Sequence, residues 1–389
     1  MFLPRSNRQI SQHKEEYGNS EKRVAVAMLF FAMNLIAVSF FAPSYVIAQD
    51  SHEGQGYHDT QVPSQQERIP FRVVSWNIEN LFDTHHDSLK NDHEFLPNAM
   101  RHWNYSRYKK KLVDVARVIT AIGEWSPPAL VGLCEVENDT VLRDLTRRSP
   151  LKELSYRYVM TNSPDLRGID VALLYQRDLF KLLSFRSVSI PPLKQFRPTR
   201  DLLHVSGLLL TGDTLDVFVC HLPSRSGGAK ESEPYRLHAA RILYTEADSI
   251  LNIRLHPQII IMGDFNDYPT NKSIQKILEA ESPSPTAPSP LKLYHLLARK
   301  AQSKNFGSYK YRGEWGLLDH LIVSGSLLNP ANSFSTSENK ATVSNLPFLL
   351  TEDKKYGDKE PFRTYKGMKY QGGISDHLPI YVDFNLILY

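Results

Sequence analysis

The sequence predicts an α+β fold in which helices lie outside a core of packed sheets. Apolar runs typical of strands predominate, among them FRVVSW, ALVGLC, DVALLY, DVFVC and QIIIMG. Amphipathic segments separate several of these runs, and the composition does not change abruptly between them. Since no internal repeat or glycine-rich phosphate loop is present, one α+β domain with a two-layer sheet core is the simplest architecture.

Local patterns predict the individual elements in chain order. The segment YKKKLVDVARVITAIGEW predicts a helix, because its apolar residues recur at helical spacing: Leu112, Val115, Val118, Ile119 and Ile122. RDLLHVSGLLL and LDVFVC flank a Thr-Gly-Asp-Thr turn and predict a hairpin. A helix in EPYRLHAARILYTEADSIL, the strand QIIIMG and a short helix in NKSIQKILEA follow. GLLDHLIVS and DHLPIYVDF are the last two predicted strands.

The overall composition indicates a globular protein with nearly balanced charge. The chain has 389 residues, of which 41% are hydrophobic, so it can bury a large core. Its 46 basic and 42 acidic residues leave a formal charge of +4, which does not by itself identify a nucleic-acid partner. Cys134 and Cys220 each end an apolar run, so we expect two buried thiols. Two cysteines exclude a small disulfide-stapled fold.

The N-terminal region predicts export. Residues 1–48 have the features of a signal peptide: the apolar run VAVAMLFFAMNLIAVSFF follows basic residues, and Val46 and Ala48 occupy the small-residue cleavage positions. An uncleaved anchor is the alternative, since the run nearly reaches the length of a membrane helix. Residues 49–68 predict a flexible lead-in, and residues 69–389 the folded domain. We therefore expect a monomer in the periplasm or outside the cell, without stable membrane association.

Polar residues repeatedly stand at the ends of the predicted strands. They are Asn77, Glu135, His221, Asp264, Asn266, Asp319, Asp376 and His377. Any one of them alone is more often a cap or a turn residue. Their repetition favours a shared site, and carboxylate and amide oxygens without thiolates suit a hard divalent ion such as Mg²⁺ or Mn²⁺.

The ordered motifs WNIENLFD, LCEVEN, RGIDVALLY, HLPSR, GDFND, LLDHLIV and SDHLP resemble the endonuclease/exonuclease/phosphatase superfamily, which is deoxyribonuclease I-like. The resemblance extends from Phe71 to Phe384. It implies a four-layer α/β sandwich, with two packed, mostly antiparallel sheets flanked by helices. HLPSRSGG, YKYRGEWG and PFRTYKG are similar to the secreted bacterial endonuclease branch of the superfamily.

The resemblance also implies roles for individual residues. Asn77 and Glu135 match the metal ligands, and Asp376 lies near the ion. Asp264 and Asn266 match residues that bind the phosphate, the attacking water or a second ion.

Two histidines and an arginine match further functional positions. His377 with Asp319 resembles a catalytic His-acid dyad. His221 matches a second catalytic histidine, with Asp170 in the place of its orienting acid. Arg200 matches a basic residue that contacts the phosphate of the substrate.

These features predict a metal-dependent phosphodiesterase, and we expect an exported endonuclease whose substrate is nucleic acid. Basic and aromatic residues are available for a groove: Arg200, Arg225, Tyr309, Tyr311, Arg312, Trp315 and Arg363. The alternative is a phosphatase or a lipid phosphodiesterase, similar to the inositol phosphatases or the sphingomyelinases. Glu137 stands where the deoxyribonuclease branch has a basic residue, which argues against duplex contacts at that point.

Two further clusters have a structural and a functional interpretation. The segment THHDSLKNDHEFLPNAMRHW is expected to be a solvated loop, with a second metal site as the alternative for its histidines: His85, His86, His93 and His102. Lys109 to Lys111 are expected on the wet face of a helix, with nucleic-acid contact as the alternative.

Overall fold

The structure is a computed structural model that describes residues 67–194, 196–284 and 287–388. The predicted signal segment and residues 49–66 of the predicted lead-in lie outside the described residues. The last two lead-in residues, Glu67 and Arg68, already belong to the first strand. Among the described residues, no helix combines the length and apolarity required to span a bilayer.

Three helices and nineteen strands form the described chain. The helices are α1 (Tyr105–Gly123), α2 (Asp139–Arg148) and α3 (Ala229–Ile253). The first nine strands are β1 (Glu67–Leu81), β2 (Leu130–Val136), β3 (Arg157–Met160), β4 (Asp170–Tyr175), β5 (Phe180–Val188), β6 (Leu202–Leu209), β7 (Thr214–His221), β8 (Gln258–Asp264) and β9 (Leu293–His295). The others are β10 (Tyr309–Tyr311), β11 (Glu314–Gly316), β12 (Asp319–Ser324), β13 (Phe334–Ser335), β14 (Ala341–Val343), β15 (Leu350–Glu352), β16 (Lys359–Pro361), β17 (Tyr365–Lys366), β18 (Lys369–Tyr370) and β19 (Ile380–Leu388).

Two large sheets form the centre of the fold. The seven-stranded sheet has the order β13-β19-β1-β2-β4-β3, with β14 also paired to β19. The six-stranded sheet has the order β5-β6-β7-β8-β12-β9. Each sheet contains one parallel pair, β1 with β2 and β7 with β8, and its other pairs are antiparallel. The predicted hairpin is confirmed as β6 and β7.

Alternating side chains along the strands divide the core into layers. Val73 of β1 packs between the sheets with Val217 and Ile260 of the second sheet. Its neighbour Val74 faces the other way and packs in a separate core with residues of α1 and α2. In the six-stranded sheet Ile261 likewise packs against α3. The order of layers is therefore helix, sheet, sheet, helix, which confirms the predicted four-layer sandwich.

The two parallel pairs position the functional residues. In each pair a helix connects the strands, α1 between β1 and β2 and α3 between β7 and β8, so both strands end at the same edge of their sheet. Asn77 lies opposite Cys134, next to Glu135, and His221 lies opposite Asp264. Strand β12 is antiparallel to β8 and places Asp319 beside Asp264. Polar strand ends from both sheets thus meet at one end of the sandwich.

Both cysteines occupy the core. Cys134 and Cys220 are buried and free, which confirms the expectation of two buried thiols. The Cys134 thiol donates a hydrogen bond to the carbonyl of Cys220, 3.3 Å away, and so joins the ends of β2 and β7 across the two sheets. Their contact holds the strands that carry Glu135 and His221 close to each other.

Candidate active site

A cavity of about 740 Å³ opens at the end of the sandwich where these strands finish. Its floor is formed by residues that were predicted from the sequence: Asn77, Glu135, His221, Asp264, Asn266, Asp376 and His377. Its walls are basic and aromatic and are formed by Arg167, Arg225, Tyr268, Tyr309 and Tyr311. The cavity therefore combines an acidic and histidine-rich floor with a cationic, aromatic rim.

Asp264 lies at the centre of this floor. Its Oδ2 atom accepts a hydrogen bond of 3.1 Å from the amide of Asn77 and lies 3.5 Å from Nε2 of His221 and 3.9 Å from Nε2 of His377. Its Oδ1 atom accepts a 2.8 Å hydrogen bond from the backbone of Asn266. Burial raises the pKa of Asp264, and the charge of Asp319 adds to this effect although His377 opposes it.

Gly263 explains why β8 can present Asp264 at this point. Its φ is +137°, and a Cβ atom there would lie 1.8 Å from the carbonyl oxygen of Cys220 on β7. Only glycine permits this approach of the two backbones. The Met-Gly-Asp sequence is therefore required by the contact between the parallel strands.

His377 and Asp319 form the predicted His-acid dyad geometry. Nδ1 of His377 lies 2.7 Å from Oδ2 of Asp319, which also accepts a 2.5 Å hydrogen bond from the hydroxyl of Ser308. Burial lowers the pKa of His377, but Asp319 and Asp264 outweigh it and hold this pKa well above its ordinary value. The imidazole is therefore held as a cation whose Nε2 atom faces the floor of the cavity.

His221, unlike His377, is held as a neutral imidazole. Its Nε2 atom lies 4.0 Å from Oε1 of Glu135, while its buried Nδ1 atom has no hydrogen-bond partner among the described residues. Burial lowers the pKa of His221 well below its ordinary value, and Arg200, Arg167 and His377 lower it further. The site thus contains one neutral and one cationic imidazole.

The predicted pair of His221 and Asp170 is wrong. The carboxylate of Asp170 accepts hydrogen bonds from the hydroxyl of Thr161 at 2.5 Å and from the backbone and hydroxyl of Ser163. These groups lie on the segment that follows β3, so the side chain fastens that segment to the start of β4. Asp170 does not orient His221, because its carboxylate is engaged elsewhere and Nδ1 of His221 is unpaired.

Arg200 is also not placed as predicted. Its side chain is 4% exposed, and it donates hydrogen bonds to the carboxylate of Asp165 at 3.2 Å and to the carbonyl of Leu222 at 2.7 Å. It lies beneath the loop after β7 and is not part of the cavity lining. The basic residues that reach the cavity are Arg167 and Arg225.

The predicted metal ligands provide oxygen atoms around the floor. Glu135 has a φ of +68°, and its Oε2 atom accepts a 2.9 Å hydrogen bond from the backbone of Asn80. Oδ1 of Asn77 accepts from the backbone of Glu79 at 3.0 Å, and Asp376 forms a short ion pair with Arg363. A positive φ at a residue other than glycine is a strain that functional sites tolerate.

This donor set fits a hard divalent cation. Carboxylate and amide oxygens predominate at the floor, where they come from Asn77, Glu135, Asp264, Asn266 and Asp376. The raised pKa of Asp264 reflects carboxylates that are crowded together in a buried place. Asn77 and Glu135 are the residues that would hold such an ion, with Asp376 in the same lining.

Lys111 and Glu79 form a buried network beneath the site that the sequence did not reveal. The ammonium of Lys111 donates to the hydroxyl of Thr364 at 2.6 Å and to the backbone carbonyls of Glu79 and Ile374. The carboxylate of Glu79 accepts from the backbone of Thr364 and Tyr365. Since Lys111 is 2% exposed, the prediction that it faces solvent is wrong. The network holds the segment that leads to Asp376 and His377.

Two buried histidines form a second network behind the site. The backbone of Leu297 donates to Nδ1 of His295, so the proton of this ring is on Nε2 and points to Nδ1 of His320. Nε2 of His320 then donates to the carbonyl of Asp267 at 2.9 Å. Both rings are neutral, because burial lowers their pKa values, that of His320 to about 4. In the sequence, the only indication of this buried network was that His320 directly follows Asp319.

The fold and the site define a class of phosphoester hydrolase, and a family model confirms it. The model of the Endonuclease/Exonuclease/phosphatase family matches residues 72–385, and the chain belongs to this family. Enzymes of this family hydrolyse phosphoester bonds and generally depend on divalent metal ions. The activity is therefore of the phosphodiesterase or phosphatase type.

Solved structures with the same fold include two from Bacteroides thetaiotaomicron. An endonuclease/exonuclease/phosphatase family protein is 17% identical, with a TM-score of 0.51, 83% of this chain covered and 100% of the other. A mannosyl-6-phosphatase is 16% identical, with a TM-score of 0.50 and coverages of 81% and 99%. The human Nocturnin catalytic domain, which has a bound sulfate anion, is 18% identical, with a TM-score of 0.48 and coverages of 82% and 97%. No curated protein matches the sequence.

Proposed function

We propose that the protein is a divalent-metal-dependent nuclease that hydrolyses phosphodiester bonds in unpaired nucleic acid. The observation that carries this proposal is the aromatic and arginine-rich rim directly around the catalytic floor. The guanidinium of Arg225 lies 4.8 Å from the ring centroid of Tyr268, and Tyr311 is 55% exposed at the same cavity. Flat aromatic and guanidinium groups beside a cationic cleft suit stacking of bases and contact with phosphates.

The two histidines and Asp264 supply the proton transfers of the proposed reaction. The Asp264 carboxylate lies at the centre of the floor, near Nε2 of both histidines, so it is placed to accept the proton of the attacking water. The imidazolium of His377, fixed by Asp319, carries an Nε2 proton that can pass to the leaving oxygen as its bond to phosphorus breaks. Neutral His221 faces the same space from the other sheet and orients the phosphate.

The oxygen donors of the floor would bind the divalent cation that assists the reaction. Asn77 and Glu135 are the residues that would hold the ion, with Asp376 beside them. A bound divalent cation neutralises charge on the non-bridging phosphate oxygens. Mg²⁺ and Mn²⁺ both accept such oxygen ligands.

The test is a substrate panel offered to the purified protein with Mg²⁺ and with chelator. The panel contains plasmid DNA, single-stranded DNA, RNA, phospholipid vesicles and small phosphomonoesters. We expect cleavage of single-stranded DNA or RNA that chelator abolishes. Hydrolysis of phosphomonoesters or phospholipid alone would overturn the proposal.

Matched variants test the role of the rim. Tyr311→Ala should raise KM for single-stranded substrate by about 5- to 150-fold, the equivalent of one lost base stack. Tyr105→Ala is the control, because Tyr105 is 64% exposed and lies on α1, outside the cavity lining. Arg225→Ala should reduce the salt dependence of binding, whereas Arg143→Ala on α2 should not.

A phosphatase is the second candidate, and the limited volume of the cavity favours it. About 740 Å³ accommodates a small phosphorylated molecule, and Arg167 and Arg225 can contact a terminal phosphate. The structurally similar mannosyl-6-phosphatase acts on a substrate of this kind. The phosphomonoester arm of the substrate panel distinguishes the two candidates.

We also propose that the protein is exported as a monomer after cleavage behind Ala48. Support comes from the sequence, in which a long apolar run and small residues precede that position. The exported protein should then begin at Gln49, which mass spectrometry of the periplasmic and culture fractions measures. Recovery of the intact apolar segment on membrane-bound protein would identify an anchor.

A further inference from the structure

The loop that follows β1 brings two histidines and an aspartate together, away from the cavity described above. One ligand atom from each of His86, Asp92 and His93 lies within 4.8 Å of the others. We propose that these three residues bind a transition-metal dication of the Zn²⁺ type, and that the ion fixes the conformation of this loop. Two imidazoles and one carboxylate form a recognised zinc donor set that leaves a fourth position for water.

The positions of the side chains allow such a site to close. Nδ1 of His86 is in short contact with Oδ1 of Asp92, and the rings of His86 and His93 have centroids 4.4 Å apart. Bond lengths of about 2.1 Å place the ligand atoms of a tetrahedral site roughly 3.4 Å apart. His86 is 37% exposed and His93 is exposed, so small side-chain rotations can bring the ligand atoms to that separation.

The carboxylate of Asp92 is held by hydrogen bonds, as the side chains that bind metal ions commonly are. It is 2% exposed, and its Oδ2 atom accepts a 2.8 Å hydrogen bond from the backbone of Asp87. The carbonyl of Asp92 accepts a 2.8 Å hydrogen bond from the backbone of Phe95. Such outer contacts orient a ligand before the metal arrives and increase affinity. Oδ1 is thereby directed toward the histidines.

The surroundings of the three residues are rich in carboxyl groups. Glu137 is 8% exposed, and the charges of Asp83, Asp87 and Asp92 all act on its carboxyl group. The nearby ammonium of Lys90 donates its hydrogen bonds to the carbonyls of Ser163 and Asp165. A dication at the histidines would compensate this charge, because buried carboxylates are stabilised by a cation close by.

The loop is attached to a segment that reaches the catalytic cavity. The backbone of Asn91 donates a 2.7 Å hydrogen bond to the carbonyl of Leu166, and Lys90 contacts the same segment. That segment carries Asp165, which holds Arg200, and Arg167, which lines the cavity. An ion at His86, Asp92 and His93 would therefore stiffen the support of Arg167 without contacting the substrate.

The experiment measures metal binding directly. The purified protein is stripped with chelator, supplied with saturating Mg²⁺ to occupy oxygen sites, and titrated with Zn²⁺ in a calorimeter. The chain should bind one Zn²⁺ equivalent that His93→Ala weakens by at least tenfold. Co²⁺ should replace Zn²⁺, with a visible absorption spectrum that shows nitrogen ligation, while Ca²⁺ should not.

Two controls separate this site from other histidines and from the catalytic floor. His102→Asn changes a histidine of the same segment outside the cluster and should leave Zn²⁺ binding unchanged. Glu135→Gln should also retain it, so a loss of catalysis does not bear on this result. Zn²⁺ should raise the Tm of the original protein but not that of His93→Ala, and both should have the same Tm in chelator. Equal Zn²⁺ stoichiometry and affinity in His93→Ala would overturn the proposal.

Discussion

Nδ1 of His377 and Oδ2 of Asp319 are joined by a 2.7 Å hydrogen bond that connects the two sheets at the catalytic end. Asp319 begins β12 of the six-stranded sheet, whereas His377 precedes β19 of the seven-stranded sheet. The charge of the acid therefore acts across the interface between the sheets. It is a main reason that the imidazole is held as a cation.

Asp319→Asn should lower kcat by roughly 10²–10⁴-fold, the range of a general acid-base group. The amide retains the shape but not the charge, so the pKa of His377 falls. The part of the pH–rate profile that requires protonated His377 should then move to lower pH. Steady-state kinetics from pH 5 to 9 measure the shift, with Tm as the control for folding. An unchanged profile would remove His377 from the proton transfers.

Glu135→Gln should abolish most turnover, because one anionic ligand of the expected cation is lost while the side-chain shape is kept. Added Mg²⁺ or Mn²⁺ at high concentration should restore part of the activity, since the other oxygen donors remain. The measurement is the activity of each protein as a function of metal concentration, after removal of metal with chelator. Full activity of either protein in chelator would contradict metal assistance.

His221→Ala and Asp170→Asn should have different effects, because the two residues do not contact each other. The histidine variant should lose kcat by about 10²-fold or more with little change in Tm. Asp170→Asn replaces the carboxylate that accepts hydrogen bonds from Thr161 and Ser163. This change should lower the free energy of unfolding by about 1–3 kcal/mol. Denaturant unfolding measures the stability of both variants, and steady-state kinetics measure their kcat. Equal losses of kcat without loss of stability would restore the predicted pair.

Lys111→Met should reduce the free energy of unfolding by about 3–5 kcal/mol. The carbonyls of Glu79 and Ile374 would lose a buried donor, and the nearby Glu79 carboxyl would lose a positive charge. Burial raises the pKa of Glu79 to about 7, and Asp376 adds to this effect. Protonation therefore relieves the unpaired charge in acid, so the loss of stability should be smaller at pH 6 than at pH 8. Lys110→Met, at an exposed position, should cost about 0.5 kcal/mol or less at both values.

The pair of His295 and His320 should make the protein sensitive to acid. Both rings are kept neutral, with pKa values below the ordinary value of about 6.5. The unfolded chain binds protons below that pH, so this part of the stability is complete above pH 6.5 and is lost as the pH falls toward 4. The stability difference between the original protein and His295→Gln should shrink over this interval. Denaturant titrations of both proteins between pH 4 and pH 8 measure this difference.

The sequence predicted which residues come together at the floor of the cavity, because they follow strands whose ends are visible in the pattern. Asp264 stands directly after an apolar run, and Asn77 and Glu135 follow similar runs. Parallel strands joined by helices then require these ends to lie together. Fold class and floor were accessible for the same reason, since both depend on the alternation of side chains and the order of elements.

The incorrect predictions concern residues whose partners are distant in sequence. Lys111 belongs to a basic run on a helix, and only the loop around Thr364 and Ile374 makes its position a buried one. Asp170 has a polar environment because the chain at Ser163 folds back over it. No local pattern encodes these contacts, because loop conformation determines them. Arg200 is similar, since Asp165 and the carbonyl of Leu222 engage it from other segments.

The pairing of β19 with β1 makes the site depend on two segments that are far apart in the sequence. Strand β19 pairs with β1 throughout its length, and the indole of Trp76 donates to the carbonyl of His377, 301 positions later. The first and last segments of the domain must therefore meet before the floor exists. Any cleavage of the chain that separates β19 from β1 would therefore withdraw His377 from Asp319, although Asp264 and Asp319 would stay paired in the other sheet.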